Sequence, residues 1–184
     1  MRVNQKISQL ASFSAQPKVG DLQAPDTLIL AAQDTGLFNL FKVKAEPELL
    51  SDGFFNQLSM IYKVEMLPND ANDADYCFAL GTNNGIAFLK ISKADYRMRI
   101  DKEAYLTGRI INNFLLRGNR IIAFEYEREK FKVIDRKTKE TLDIPWIYED
   151  PLCVTGLCWV PNFHPNELSI VLIRDPNGVH MVNT

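Results

Sequence analysis

The sequence predicts an all-β protein built from repeated antiparallel sheets. Three observations lead to this prediction: a hairpin pattern at residues 76–91, its recurrence along the chain, and an apolar opening strand before each copy. In the hairpin, two runs of alternating apolar residues flank the tripeptide Asn83-Asn84-Gly85. Asn-Gly is the strongest short hairpin signal, because a type I′ turn needs positive φ at both central positions. Residues 76–91 are therefore expected to form two antiparallel strands around such a turn.

The hairpin design recurs at residues 28–43, 121–136 and 168–183. The opening strands before the hairpins start at Ile7, Ile61, Ile111 and Val154, about 43–54 residues apart. Repeats of about 40–50 residues, each a four-stranded antiparallel sheet, are typical of β-propeller blades. We expect one domain over residues 1–184, with approximate repeats at 7–56, 61–103, 110–147 and 154–184. The outer strand is weak in every repeat, and the last repeat offers no candidate for it.

The third hairpin has the clearest alternation of polar and apolar residues. Its acidic residues, Glu125, Glu127 and Glu129, are predicted to face solvent. Phe124 and Tyr126 are predicted to face the core, as in a half-buried antiparallel strand. The turn of this hairpin is expected near residues 128–129, without a glycine.

Three stretches carry a resemblance to a known repeat family. The opening pattern Val154-x-x-Leu157-x-Trp159-x-Pro161 is similar to the inner strand of WD repeats, and residues 30–43 and 79–91 resemble their second and third strands. The chain therefore resembles a degenerate WD-repeat-like β-propeller of about four blades, alone or as part of a larger propeller. The Gly-His signature is absent, so related propellers without WD motifs stay open. In place of the Trp-Asp dipeptide stand Phe41-Lys42, Leu89-Lys90, Ile134-Asp135 and Val182-Asn183.

The number of repeats bears on whether such a propeller closes. Four blades are the lower limit for a closed ring, and closure normally removes a bare edge by borrowing an outer strand from the N-terminus. Only residues 1–6 precede the first opening strand, which is short for that role. The resemblance therefore favours an open or partial array of four-stranded antiparallel blades over a small closed ring.

The composition is that of an ordinary globular protein, with 46% hydrophobic residues, 24% charged residues and a net charge of −2. This charge balance gives no sign of a dedicated nucleic-acid or membrane-surface binder. No apolar run approaches the ~20 residues needed to span a bilayer, and residues 1–14 lack the apolar core of a secretory signal. The three cysteines follow no framework pattern. We therefore expect an intracellular protein, cytoplasmic or nuclear.

No motif predicts catalysis, a metal or a cofactor. His164 lies near Cys153 and Cys158 in the sequence, but the Cys-x-x-Cys spacing of a zinc site is missing. The acidic loop at residues 69–75 lacks the glycine and glutamate of a calcium loop. There is no Gly-x-Ser-x-Gly elbow and no glycine-rich phosphate loop. We expect no catalytic residue, no cofactor and no metal.

Five residues are the candidate partner contacts: Trp146, Tyr148, Arg128, Lys130 and Lys132. The three cations belong to a basic cluster in the third repeat, which could contact RNA or anionic lipid. The favoured interpretation is an outer strand kept soluble by lysines. The two aromatic residues lie on a connection between blades. For Trp146, packing between blades is favoured over a partner anchor.

The expected function is a non-catalytic protein–protein interaction scaffold within an intracellular assembly. Its partners would be other protein subunits, with self-association through open blade edges as a further mode. One alternative is a propeller enzyme with its active site in the central funnel, but the inner strands start with apolar residues rather than carboxylates. The other alternative is an RNA-associated subunit that uses the basic third repeat.

Overall fold

The computed structural model describes residues 7–15, 25–58, 60–68, 73–128, 130–144, 156–159, 170–175 and 178–183. These residues form β-strands and one short 3₁₀ turn, arranged as four antiparallel sheets. The chain divides into two compact units, Met1–Gly108 and Arg109–Thr184. Each unit holds two of the sheets.

The first unit contains two four-stranded sheets in which each strand pairs with the next one along the chain. The first sheet consists of β1 (Ile7–Ser14), β2 (Thr27–Gln33), β3 (Leu37–Lys42) and β4 (Glu48–Phe54). The second sheet consists of β5 (Lys63–Met66), β6 (Asp75–Thr82), β7 (Gly85–Ser92) and β8 (Met98–Tyr105).

The second unit repeats this design. The third sheet consists of β9 (Ile111–Arg117), β10 (Arg120–Glu125), β11 (Lys130–Asp135) and β12 (Thr141–Ile144). The fourth sheet has three strands among the described residues: β13 (Gly156–Trp159), β14 (Ile170–Asp175) and β15 (Gly178–Asn183). The predicted all-β class, built from four-stranded antiparallel sheets, is confirmed. The repeat bounds, the single domain and the arrangement of the sheets around an axis stay predictions.

The core of the first unit lies between its two sheets. One face of the first sheet packs its large apolar side chains against the second sheet, with the Phe13 ring 5.0 Å from that of Tyr76 and 5.1 Å from that of Phe78. Burying each large apolar side chain contributes about 1.5–3 kcal/mol, so this layer holds the unit together. The fully buried members include Leu28, Leu30, Phe38, Leu40, Phe78, Leu89 and Ile91.

The hairpin between β6 and β7 forms as predicted, but its turn is not type I′. Only Gly85 has positive φ (+99°), whereas Asn83 and Asn84 do not. The Asn84 backbone N–H donates to the Thr82 hydroxyl oxygen at 3.0 Å, and that hydroxyl donates to the Gly85 carbonyl at 2.9 Å. The turn therefore needs the left-handed conformation at Gly85 alone, where glycine has no Cβ to oppose it, and Thr82 adds side-chain hydrogen bonds to the turn.

In the third sheet the predicted alternation holds at Phe124 and fails at the two residues after it. Phe124 is buried against Phe131, with ring centroids 5.0 Å apart. Glu125, predicted to face solvent, is buried, and Tyr126, predicted to face the core, is exposed. β10 is buried at every position from Ile121 to Glu125, so both faces of this strand are covered and the acid is buried with them. After Glu125 the chain enters the 3₁₀ turn Tyr126–Arg128, and this turn exposes Tyr126.

Candidate interaction surfaces

The first sheet exposes apolar side chains on the face that points away from the second sheet. In the register, Ile29 lies opposite Phe41, and Phe41 lies opposite Leu49. Directly opposite residues of antiparallel strands project to the same side, so these three side chains share one face. Leu10, opposite Ala31, and Phe54, opposite Leu37, lie on the same face on the two edge strands, with the polar pair Asn39 and Asp52 between them. We call Leu10, Ile29, Phe41, Leu49 and Phe54 the apolar face; Leu10, Leu49 and Phe54 are exposed.

A groove of about 320 Å³ opens beside this face, and it is lined by Ile29, Phe41, Lys42, Val43 and Pro47. The Lys42 ammonium donates to Asp26 Oδ2 at 2.5 Å. This hydrogen bond raises the pKa of Lys42, so the lysine stays charged. The groove therefore has apolar walls and, at its rim, one lysine whose charge is balanced by Asp26. This lining suits an apolar side chain from another molecule.

A second candidate surface surrounds Glu125 at the end of β10. The Glu125 side chain is 1% exposed, and its Oε1 atom lies 3.2 Å from Arg109 Nε and 3.1 Å from Arg128 Nε. The backbone N–H of Tyr126 donates to the Ile110 carbonyl at 3.0 Å. This bond ties the 3₁₀ turn to the segment before β9, and so brings Arg109 beside Arg128.

The contacts of Glu125 with its two arginines are ionic. Within the described residues, Glu125 Oε1 accepts no hydrogen bond, although both Nε atoms lie at ion-pair distance. A buried carboxylate is tolerated when opposite charges compensate it. The arginine side chains are 35% and 50% exposed for Arg109 and Arg128, so their guanidinium groups reach solvent. We call Arg109 and Arg128 the arginine pair.

The predicted cations do not form a continuous positive surface. Arg128 forms an ion pair with Glu125. Lys132 donates a hydrogen bond to Asp143, and Lys130 lies 4.0 Å from the same carboxylate. The hydrogen bond from Lys132 is the main reason that the pKa of Asp143 falls below its ordinary value. Trp146 and Tyr148, the other predicted contacts, lie outside the described residues.

Sequence reasoning missed Arg109, Glu125 and the apolar face. The only local signal for Glu125 is an acid that closes the apolar run Ile121–Phe124 with an arginine three residues later. The signal for the apolar face is the β2 sequence Thr27–Gln33, which is apolar at consecutive positions and so has two apolar faces. Neither pattern indicates which residue or molecule contacts these side chains.

Among the residues described, no three histidine, cysteine or acidic side chains gather as a metal site. In the same part of the chain, no helix has the length and apolar character required to cross a membrane.

Neither a protein-family model nor a curated protein matches the sequence. The structure is similar to the crystal structure of the WD40 domain of SCAP from fission yeast. The TM-score is 0.52 at 12% sequence identity, and the match covers 90% of this chain and 39% of that chain. The fold is that of WD40 blades. The predicted resemblance to WD-type blades is thus confirmed at the level of the fold, and this chain spans about two fifths of the WD40 chain it matches.

The positions that carry Trp-Asp in WD repeats have other uses in this WD40 fold. Phe41 and Lys42 line the groove of the first sheet. Lys90 pairs with Asp101, and this hydrogen bond raises the pKa of Lys90. The Asp135 carboxylate accepts hydrogen bonds from the backbone N–H groups of residues 137 and 138 at 2.8 and 3.1 Å. The replacements in the first three repeats therefore have local structural roles.

Proposed function

We propose that this chain is a non-catalytic protein-interaction scaffold within an intracellular assembly. The observation that carries this proposal is the apolar face of the first sheet, which leaves several large side chains in water on a WD40 fold. Contiguous exposed apolar patches on otherwise polar proteins mark contact sites, because their burial is favourable. Other protein subunits are therefore the proposed partners.

The proposed occupant of the apolar face is an apolar β-sheet presented by a partner subunit. The opposite face of the same first sheet already buries such a sheet, through Phe13, Tyr76 and Phe78. Sheets pack face to face at about 10 Å with interdigitating side chains. The 320 Å³ groove accepts a large apolar side chain from that sheet. The docking surface thus extends a mode of packing that the first unit uses internally.

The test is capture of a protein partner by the pure chain and by two matched variants. Leu49→Asp introduces a charge at a 54% exposed position of the apolar face, and Ala104→Asp does so at an exposed position of β8 in the second sheet. We expect a specific partner to be retained by Ala104→Asp and lost by Leu49→Asp. Retention by both variants, or capture of nothing specific, contradicts the proposed surface.

Light scattering on the same proteins separates partners from self-association. A monomer that captures a different protein supports the proposed heterologous partner. A concentration-dependent dimer that Leu49→Asp dissolves would replace it with a second copy of this chain. The predicted contacts Trp146, Tyr148, Arg128, Lys130 and Lys132 remain part of the proposal, and alanine at each is expected to weaken capture.

The RNA-associated alternative has little support. Binding along a nucleic-acid backbone needs several cations free to neutralise phosphates. Arg128 is paired with Glu125, while Lys130 and Lys132 share Asp143. The pairs with Asp143 would have to break before Lys130 and Lys132 could contact phosphates, and Arg128 by itself does not supply several contacts.

A further inference from the structure

We infer that the arginine pair binds a carboxylate of an acidic peptide segment in a partner protein. This inference rests on the proposed scaffold function, and it adds a second, charged contact site in the second unit. The site consists of Arg109 and Arg128, held by the buried Glu125 carboxylate.

The buried Glu125 carboxylate holds the two arginines in place. Both contact the same Glu125 oxygen through Nε, at 3.2 and 3.1 Å. An arginine has five N–H donors, which is more than the single Glu125 Oε1 atom can engage. Within the described residues, Glu125 is the acid paired with either arginine. Two partly exposed forks are thus fixed beside each other.

The arrangement of the two arginines lowers the free-energy cost of binding a carboxylate. Ordering a long side chain at an interface costs about 0.5–1.5 kcal/mol. The buried carboxylate already restricts both arginines, so less of this cost falls on the binding event. A guanidinium fork matches a carboxylate with two parallel hydrogen bonds, which lysines cannot do.

The charges around the arginine pair favour a ligand with a single negative charge. Two arginine charges face one buried carboxylate, which leaves an excess of one positive charge at the site. Asp143 is near enough for Arg128 to contribute to the lowering of its pKa, but it is paired with Lys132 and Lys130. Glu127 in the same turn is exposed and adds one competing acid. With Lys130, Lys132 and Asp143 counted as well, four cations stand against three acids among the described residues, and this excess of one suits a single carboxylate rather than a polyanion.

An exposed aromatic ring lies in the same turn as Arg128. Tyr126, in the same 3₁₀ turn as Arg128, exposes its ring. An aromatic ring beside a charged anchor provides apolar contact area for the backbone or side chains of a bound peptide. Tyrosine and arginine are also the residue types enriched at contact hot spots between proteins. The site therefore fits an acidic peptide better than a free anion.

The experiment is a fluorescence-anisotropy titration of the full chain with a short labelled peptide rich in glutamate. We expect binding that weakens with added salt, and no binding of the matched glutamine-rich peptide. Arg109→Gln and Arg128→Gln should each weaken binding about tenfold or more, since each removes a charged fork. Lys102→Gln, which removes an exposed cation of β8, should leave binding unchanged.

Two further arms make the result decisive. Arg128→Lys keeps the charge and loses the fork, so intermediate binding supports the recognition of a carboxylate by geometry. Inorganic phosphate that competes with the peptide only at high concentration supports a peptide ligand, whereas tight binding of phosphate itself overturns it. Equal loss in Lys102→Gln, or equal binding of both peptides, also overturns the inference. Leu49→Asp should not alter peptide binding. If the peptide does not bind the arginine pair, the proposed capture of a partner by the apolar face is therefore not contradicted.

Discussion

The first and third sheets share one strand order and expose opposite kinds of surface. The first sheet leaves apolar side chains such as Leu49 and Phe54 in water. The third sheet exposes cations, and Arg128, Lys130 and Lys132 each lie against an acid. The same meander can therefore present either an apolar or a charged surface. Contacts made through the first sheet should resist salt, and contacts made through the third should weaken with it.

The difference has its origin in two strand sequences. β2, TLILAAQ, is apolar at consecutive positions, so it has an apolar side chain for each face of the sheet. β11, KFKVID, alternates lysines with apolar residues over its first half, so one face is charged. A strand with two apolar faces needs a second layer to cover it, which is the physical basis of the proposed docking surface.

The largest expected effect compares the two faces of the first sheet. Phe38 is fully buried between the sheets of the first unit, and Phe54 is exposed on the apolar face. Phe38→Ala should lower the free energy of unfolding by about 3–5 kcal/mol, because it leaves a cavity in a packed layer. Phe54→Ala should change it by less than about 0.5 kcal/mol. Urea denaturation of both variants checks this, and similar losses would mean that the apolar face is covered in solution.

The next effect compares a crowded turn with an open one. A Cβ at Gly36 (φ +81°) would lie 2.4 Å from the carbonyl oxygens of Leu58 and Phe55, whereas one at Gly118 (φ +56°) would meet nothing within 4 Å. Gly36→Ala adds overpacking to a backbone penalty and should cost about 2–4 kcal/mol. Gly118→Ala should cost about 1 kcal/mol, from the left-handed backbone alone. Thermal unfolding of the two variants measures the gap, and equal costs would refute the crowding at Gly36.

The features that sequence reasoning recovered depend on local patterns. The β6–β7 hairpin is readable because its apolar residues alternate and a glycine stands at the turn. The turn type is not readable in this way, since Asn-Gly predicts positive φ at two residues and only Gly85 has it. The WD-type fold could be predicted despite the missing Trp-Asp dipeptide, because repeat length and strand pattern survive where that motif does not.

The candidate surfaces could not be predicted in the same way. Glu125 is buried because Arg109, sixteen positions earlier in the chain, is brought against it by the bond from Tyr126 to Ile110. That contact leaves no periodic trace in the sequence. Leu28 and Ile29 are both apolar, and only the packing of the second sheet decides that Leu28 is fully buried and Ile29 is not.

A smaller effect is expected from neutralising the buried acid of the third sheet. Glu125→Gln leaves the two arginines without their counter-charge, and removing one partner of a fully buried ion pair costs about 3–5 kcal/mol. The arginines are partly exposed and can turn to water, which reduces the expected cost to about 1–2 kcal/mol. Glu48→Gln in the first sheet, whose carboxylate is exposed and pairs with Lys44, is the matched control and should have no measurable effect. Urea midpoints that fall equally for both variants would contradict the special role of Glu125.

The smallest effect concerns the exposed acid that Lys130 and Lys132 share. The hydrogen bond from Lys132 lowers the pKa of Asp143, so the ion pair is intact above the ordinary aspartate pKa of about 3.9 and is lost as the pH falls through the lower folded value. A carboxyl NMR titration should give Asp143 a pKa below the ordinary value. Lys132→Gln should raise this pKa more than Lys130→Gln does, because Lys130 lies 4.0 Å away. Equal shifts in the two variants would mean that the lysines act as a diffuse charge, and the third sheet would then differ less from a continuous basic surface than its ion pairs indicate.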